Sequence, residues 1–227
     1  MLTLLTATGC RPQAWRLCER WMMAQDYPGA VRWLVVDDGE EPQPVTFERA
    51  GWSLEVIRPT PRWKPGMNSQ ARNLLAGLDR LEPNDSLVVI EDDDYYGPGY
   101  LSAAESWLKR GELVGECMAR YYNVARRIGR QLNNRGHASL CSTAMRGAAL
   151  EQFRKECKPG VQFIDLSLWR NFSGSKVLAE TKHVVGIKGL PGRDGIGMGH
   201  KESFNGSHDP DGAMLREWVG INAEAYL

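Results

Sequence analysis

Residues 86–100 read SLVVIEDDDYYGPGY, in which an apolar run is followed at once by four consecutive acids. The apolar residues 87–90 have the pattern of a strand that is covered on both faces of its sheet. The four adjacent carboxylates of residues 91–94 repel one another, and a carboxylate is rarely buried without a partner. This segment is therefore either a solvated acidic turn or a site that holds something cationic.

The composition is that of an ordinary globular protein without a charge bias. The 227 residues are enough for one large domain or two small ones. The formal net charge is +0, so any polyanionic partner must be recognised by a local patch. The sequence has no apolar run long enough for a transmembrane helix, and its N-terminus lacks the basic start of a signal peptide. We therefore expect no membrane association and a cytoplasmic location.

The cysteines are five in number, which argues against a framework of disulfides. Cys10, Cys18, Cys117, Cys141 and Cys157 contain no C-x-x-C pair, so a zinc ribbon is not indicated. We expect buried or half-buried free thiols.

The chain begins with alternating strand and helix patterns. Strands are predicted over 2–7, 31–36, 53–57 and 85–90, and helices over 11–24, 69–81 and 100–110. This alternation predicts βαβ units and a mainly parallel sheet flanked by helices, an α/β fold.

The second half of the chain is less regular. Strands are predicted over 113–123 and 139–145, helices over 147–157 and 163–171, and a glycine-rich functional loop over 186–211. Because no linker separates the halves, we predict a single domain, 1–227.

Two acidic clusters follow predicted strands, Asp37–Asp38 after the second and residues 91–94 after the fourth. Ligands of open α/β sheets bind at the carboxyl ends of the strands, so the two clusters predict a shared pocket. Clustered carboxylates suit Mg²⁺ or Mn²⁺, which would neutralise the charge of a departing diphosphate. The glycine signatures of a dinucleotide fold and of a P-loop are both missing after the first strand.

Three segments, WLVVDDG (33–39), NSQARNLLAGLD (68–79) and SLVVIEDDDYYGPGYL (86–101), resemble family 2 glycosyltransferases with the GT-A fold. The resemblance is clear over residues 1–110 and weaker beyond. It implies a GT-A-like domain in which 1–110 binds a nucleotide-sugar, such as a UDP-sugar, and 111–227 binds the acceptor and carries catalysis. The implied reaction is metal-dependent transfer of the sugar to an acceptor hydroxyl.

The resemblance also implies roles for individual residues. Glu91 and Asp93 align with the two acids of the metal motif, yet Asp92 and Asp94 form an equally regular pair on an extended chain, so either pair can be the ligands. We expect Mn²⁺ or Mg²⁺ to be held by Glu91, Asp93, Asp94 and His200, where His200 ends the glycine-rich loop and is a metal ligand or a phosphate contact. The expected donor-binding residues are Thr6, Asp37, Asp38, Asn68, Arg72, Asn73, Asp92, Lys188 and Arg193, of which the two in the glycine-rich loop would clamp the diphosphate.

The segment FIDLSLWR (163–170) resembles the acidic segment that supplies the family's catalytic base. Asp165 would accept the proton of the acceptor hydroxyl in one in-line displacement, which inverts the anomeric centre. The alternative is an acid near the start of a helix, where the dipole stabilises its charge.

A basic segment, ARYYNVARRIGRQLNNRGH (119–137), predicts a polyanionic acceptor. The expected acceptor-binding residues are Arg120, Tyr122, Arg126, Arg127 and Arg130. A hydroxymethylated base in DNA would fit, as for a DNA-modifying enzyme of a bacteriophage acting in the host cytoplasm. A phosphorylated glycan or a lipid-linked sugar would also fit, and a solvated basic hairpin is the plain alternative.

Two other functions compete with sugar transfer. A nucleotidyltransferase also needs a diphosphate and a metal, but the segment TATGCRP after the first strand is poor in the glycine and basic residues of that class. A nucleic-acid-binding module without enzymatic activity would leave the acids as a surface turn. The sequence does not indicate an oligomeric state.

Overall fold

The computed structural model describes residues 1–161 and 163–227, which form an α/β fold. The strands are β1 (Leu2–Thr8), β2 (Val31–Asp37), β3 (Trp52–Ile57), β4 (Ser86–Val89), β5 (Tyr95–Tyr96), β6 (Leu113–Glu116), β7 (Met118–Asn123), β8 (Ile128–Asn133), β9 (Thr143–Arg146), β10 (Lys176–Ala179), β11 (Val184–Lys188) and β12 (Ser207–His208). The helices are α1 (Pro12–Met23), α2 (Gln70–Leu78), α3 (Tyr100–Leu108), α4 (Ala148–Glu156), α5 (Ile164–Asn171) and α6 (Ala213–Val219).

The larger sheet has the strand order β10-β6-β9-β4-β1-β2-β3. Strands β4, β1, β2 and β3 are mutually parallel, and β9 runs antiparallel to both of its neighbours. This sheet is the mainly parallel sheet that the sequence predicts. It is covered on both faces, because Val88 and Ile90 pack in one hydrophobic core while Leu87 and Val89 pack in the other. The period of two in an extended chain produces this division.

The smaller sheet has the order β12-β8-β7-β11-β5. Strand β5 follows the four acids directly, and it pairs antiparallel with β11. Strand β11 in turn runs parallel to β7, which forms a hairpin with β8. The acids therefore lie where the chain passes from the larger sheet to the smaller one.

Several boundaries differ from the sequence prediction. The strand predicted over 113–123 is two strands in different sheets, because the backbone of Cys117 bonds to Ala179 and Asn134 between them. The strand predicted over 139–145 begins with a 3-10 turn, Leu140–Ser142. The loop predicted from residue 186 starts inside β11.

No helix in the described part of the chain combines the length and the apolar character needed to span a bilayer.

Gly115 of β6 provides a test of the packing between β6 and the segment that precedes β9. A Cβ atom at this position would lie 2.5 Å from the Cβ of Ala138 and 2.6 Å from the carbonyl oxygen of Ser142. We expect Gly115→Ala to destabilise the fold by about 1–3 kcal/mol, because a packed backbone must shift. Urea unfolding measures this change.

The matched control is Gly136→Ala, because a Cβ there meets no atom within 4 Å. Equal stabilities of the two variants would contradict the described packing around Gly115.

Candidate functional site

A cavity of about 430 Å³ lies at the carboxyl ends of β1 and β4. Its floor includes Glu91, Asp92 and Asp93, and the start of α5 contributes Asp165. The cavity thus brings together two regions, separated by more than 70 residues of sequence, that the sequence assigns to the donor and to catalysis. Its other walls include the β7–β8 hairpin, the start of α2, the segment 137–141 and parts of the segment 193–205.

Arg11 bridges two of the four acids. One of its terminal nitrogens lies 2.6 Å from Oδ1 of Asp92, and the other lies 2.7 Å from Oδ2 of Asp93. The hydroxyl of Thr8 donates to Oδ2 of Asp92 at 2.7 Å. These contacts hold both carboxylates in fixed positions below the cavity.

The turn between β1 and α1 directs Arg11 to the acids. Cys10 has a φ of 59° and Gly9 a φ of 144°, conformations that side-chain-bearing residues rarely adopt. A Cβ on Gly9 would lie 2.5 Å from a carboxylate oxygen of Asp38, so this position requires glycine. The backbone therefore turns sharply enough to place a cation directly above the end of β4.

Lys188, the last residue of β11, forms ion pairs with acids of the same cluster. Its Nζ lies 2.7 Å from Oδ1 of Asp94, 3.4 Å from Oδ2 of Asp93 and 3.9 Å from Oε2 of Glu91. Burial lowers the pKa of Lys188, but the attraction of these three carboxylates outweighs it, and the pKa lies well above its ordinary value. Lys188 is therefore charged.

The net shift of the carboxyl pKa differs between Asp93 and Asp94. Burial raises the pKa of Asp93, but Arg11 and Lys188 outweigh that effect and hold the pKa well below its usual range. For Asp94, burial dominates and raises the pKa well above its usual range although Lys188 opposes it. The buried Oδ2 of Asp94 accepts no hydrogen bond from the described residues.

The donor atoms of the cluster fit a hard divalent cation. Nε2 of His200 lies 3.4 Å from Oδ2 of Asp93, so both groups face the same point. Carboxylate oxygens with an imidazole are suitable ligands for Mn²⁺ or Mg²⁺. Ligand atoms of Glu91, Asp94 and Cys141 also lie within 4.8 Å of one another. Burial raises the pKa of the Cys141 thiol well above its ordinary value, which makes it a weak ligand beside the carboxylates.

Asp37 and Asp38 already have partners within the protein. Asp37 accepts from the backbone of Gly39 and Gln43 and from Arg58. The completely buried Asp38 pairs with Arg193 at 2.7 Å and with Arg72 at 3.0 Å. The two acids predicted to hold the nucleoside thus do not present free carboxylates to the cavity.

Arg193 connects the glycine-rich loop to this second acidic cluster. Besides Asp38, its guanidinium donates to the hydroxyl of Ser69 at 2.8 Å and lies over the ring of Trp63, 4.6 Å from the centroid. Its backbone N–H donates to the carbonyl of Cys10. The loop is therefore attached to the rim of the cavity.

Of the other residues predicted to bind the sugar donor, some line the cavity and some do not. Asn68 and Asn73 line the cavity. Arg72 instead donates to the carbonyl of Pro61 at 2.7 Å and pairs with Asp38. Thr6 is fully buried, and its hydroxyl accepts from the indole of Trp33 at 2.9 Å, so Thr6 does not reach the cavity.

Asp165 lies in the first turn of α5, as the sequence predicts, and lines the cavity. Burial raises the pKa of its carboxyl, although hydrogen bonds from the backbone of Leu166, Asp165 and Leu140 oppose this shift. A carboxylate with a raised pKa is a better proton acceptor than a solvated one. Asp165 therefore lies on the cavity wall with a pKa above that of a solvated carboxyl.

The basic segment forms the β7–β8 hairpin, whose two faces differ. Tyr121 and Arg130 are cross-strand partners, and both line the cavity. Arg120 faces the opposite side and lies over the ring of Trp218. Tyr122 is fully buried, and its hydroxyl donates to Asp209.

Two further arginines of the hairpin hold the C-terminal part of the chain. Arg126 donates to the carbonyl of Phe204 at 2.9 Å, and Arg127 donates to that of Pro210 at 2.6 Å. Of the five predicted acceptor residues, Arg130 alone is among the described residues that line the cavity.

Sequence reasoning missed Arg11, Thr8 and Tyr121 at this site. The available signal for Arg11 was its position directly after the first strand, at the edge of the sheet where the buried acids need a cation. Tyr121 required the hairpin register, which the sequence pattern did not provide.

No known family model and no curated protein sequence matches the chain. Its fold is similar to that of TarS from S. aureus, with a TM-score of 0.58 and 14% identity over 82% of this chain and 37% of the TarS chain. TarS residues 1–349 in complex with UDP-GlcNAc give a TM-score of 0.57 and 14% identity over 86% of this chain and 60% of that one. The complex of the same TarS segment with UDP gives 0.58 and 14% identity, with coverage of 82% and 60%.

The chain thus spans 37% to 60% of the length of these TarS chains. The similarity confirms the expected GT-A-like α/β fold.

Replacement of Arg11 tests whether the acids depend on it. We expect Arg11→Leu to destabilise the fold by about 3–5 kcal/mol near neutral pH, because Asp92 and Asp93 lose a buried partner. Since Arg11 helps to depress the pKa of Asp93 in the folded state, its contribution is present above pH of about 4 and fades as the pH falls below that value. Urea unfolding at several pH values measures both effects.

The control is Arg16→Leu on the exposed side of α1, which we expect to change stability by less than about 0.5 kcal/mol. A loss in Arg11→Leu that is no larger than in the control, or that grows on acidification, would contradict the assigned ion pairs.

Proposed function

We propose that the protein is a glycosyltransferase that moves a sugar from a nucleotide-diphosphate donor, a UDP-sugar, to an acceptor hydroxyl. The observation that carries the proposal is the single cavity that joins the acid cluster after β4 to Asp165. The fold supports it, because the similar TarS segment has been crystallised with UDP-GlcNAc and with UDP. The nucleotide and the sugar are carried over from those complexes as part of the proposal.

The donor side of the cavity is strongly charged. Lys188 at the end of β11 and Arg193 in the glycine-rich loop both line the cavity, and they supply cations that can pair with phosphate oxygens. Mn²⁺ or Mg²⁺ held by Glu91, Asp93, Asp94 and His200 would neutralise charge on the departing diphosphate. Asp92 lies next to these ligands in the sequence and is held in place by its ion pair with Arg11.

Asp165 is the proposed base. It accepts the proton of the acceptor hydroxyl while that oxygen attacks the anomeric carbon and the diphosphate leaves from the opposite face. One displacement of this kind inverts the configuration of the sugar. Phe163 and Leu166 line the cavity beside Asp165, so the surroundings of this carboxyl are partly apolar.

The acceptor enters beside Tyr121, Arg130, Asn134 and His137, which line the opposite wall. Arg130 supports an acceptor with a negative charge near the reactive hydroxyl, as in a hydroxymethylated base of DNA, a phosphorylated glycan or a lipid-linked sugar. A bacteriophage enzyme acting on DNA in the host cytoplasm is the nucleic-acid form of this hypothesis. It rests on fewer residues than the sequence predicts, because Arg126 and Arg127 are engaged by backbone carbonyls.

Loss of the base should separate chemistry from binding. We expect Asp165→Asn to lower kcat for transfer by roughly 100- to 10,000-fold and to leave UDP binding unchanged. Because burial raises the pKa of Asp165, wild-type activity should fall on acidification at a pH above the ordinary carboxyl value of 3.8. Release of UDP from a panel of UDP-sugars, followed across pH with Mn²⁺ present, measures both.

The matched control is Glu151→Gln, which removes an exposed first-turn acid from the neighbouring helix α4. Full activity of Asp165→Asn would contradict the assigned base. Release of sugar 1-phosphate in place of UDP would instead identify a nucleotidyltransferase, because transfer of the nucleotidyl group leaves the sugar on its phosphate.

A nucleic-acid acceptor predicts a specific salt dependence. If Arg130 contacts a phosphate, Arg130→Ala should reduce the slope of log binding constant against log salt by about 0.9 on duplex DNA. Arg16→Ala, at an exposed position on α1, is the control. An electrophoretic shift assay that shows no DNA binding at low salt would contradict a nucleic-acid acceptor and favour a glycan or lipid-linked sugar.

A further inference from the structure

The ammonium of Lys188 lies at the point where three carboxylates converge. Its Nζ is 2.7 Å from Asp94, 3.4 Å from Asp93 and 3.9 Å from Glu91. The position is fixed by the sheet, because the carbonyl of Lys188 accepts from the backbone of Val124 and the residue is buried. Lys188 is therefore part of the packed structure of this site.

A divalent cation bound by the same oxygens would need the same space. Mg²⁺ lies about 2.0–2.1 Å from its oxygen ligands, whereas the ammonium here lies 2.7 Å from Asp94 Oδ1. An ion that coordinates Oδ2 of Asp93 and Oδ1 of Asp94, the two oxygens nearest Nζ in these residues, would thus lie close to the ammonium, where two cations repel strongly. The ion and the ammonium cannot share these two oxygens.

If an ion displaces the ammonium of Lys188, the ammonium needs a new partner. A buried lysine that loses its carboxylates is an uncompensated charge, which is strongly unfavourable. Lys188 lines the cavity, so the diphosphate of a donor bound there could accept the displaced ammonium. A bound diphosphate would add negative charge to the cavity and would so provide that partner.

We propose that Lys188 is a resident counter-ion that competes with the divalent cation for Asp93 and Asp94, so that the protein binds this ion weakly until a donor diphosphate receives the lysine. The role of the donor rests on the proposed function, whereas the competition between lysine and ion does not. By linkage, the diphosphate tightens ion binding by the same factor by which the ion tightens diphosphate binding.

Titration calorimetry with Mn²⁺, with and without UDP, tests the competition. We expect wild type to bind Mn²⁺ weakly alone, and Lys188→Met to bind Mn²⁺ about tenfold more tightly or better because the competing cation is gone. The coupling between Mn²⁺ and UDP should be smaller in Lys188→Met than in wild type. Lys201→Met, which removes an exposed lysine from the nearby loop, is the matched control and should behave as wild type.

Equal affinities of wild type and Lys188→Met for Mn²⁺ alone would overturn the inference and leave sugar transfer intact. Tighter Mn²⁺ binding by Lys188→Met without UDP binding by either protein would support the competition and contradict the proposed function.

If Lys188→Met does not fold, NMR of the ¹⁵N-labelled wild type tests the same competition. The ammonium signal of Lys188 should keep its position with Mg²⁺ alone and shift when Mg²⁺ and UDP are added together. A shift with Mg²⁺ alone, or none with both, would overturn the inference.

Discussion

The structure depends on the cations that pair with four buried or half-buried acids at the end of β4. Desolvation of unpaired charges on this scale would cost several kcal/mol for each ion, which exceeds what a fold of this size can tolerate. Arg11 pairs with Asp92 and Asp93, and Lys188 pairs with Asp94 and lies within 4 Å of Asp93 and Glu91. The cluster therefore determines where the elements that carry both cations must lie.

The two cations come from different sheets. Arg11 follows β1 of the larger sheet, and Lys188 ends β11 of the smaller one. Asp94 also accepts the backbone N–H of Ile187 at 2.8 Å, which ties β11 to the same point. The acid cluster is thus a joint between the sheets as well as the floor of the cavity. One set of charges thus joins the two sheets and lines the cavity.

Much of the larger sheet could be predicted from the sequence because local patterns determine it. Residues 87–90 are apolar on both faces, and the structure covers both faces. The position of Asp165 in the first turn of α5 likewise followed from its local segment. The partners of the acids could not be predicted, because Arg11 lies about 80 residues before them and Lys188 about 95 residues after them. The roles of Arg126 and Arg127 were also hidden, since a run of arginines has the same pattern whether it binds a phosphate or the backbone of a distant segment.

We propose that the charged cavity binds a nucleotide-sugar. Titration calorimetry of wild type and Asp93→Asn with a panel of nucleotide-sugars in the presence of Mn²⁺ measures this binding. We expect wild type to bind a UDP-sugar, and we expect Asp93→Asn, with its fold verified by near-UV circular dichroism, to bind it at least about tenfold more weakly, a difference of about 1.4 kcal/mol. Failure of wild type to bind any nucleotide-sugar, or equal affinity of the two proteins, would contradict the proposed site.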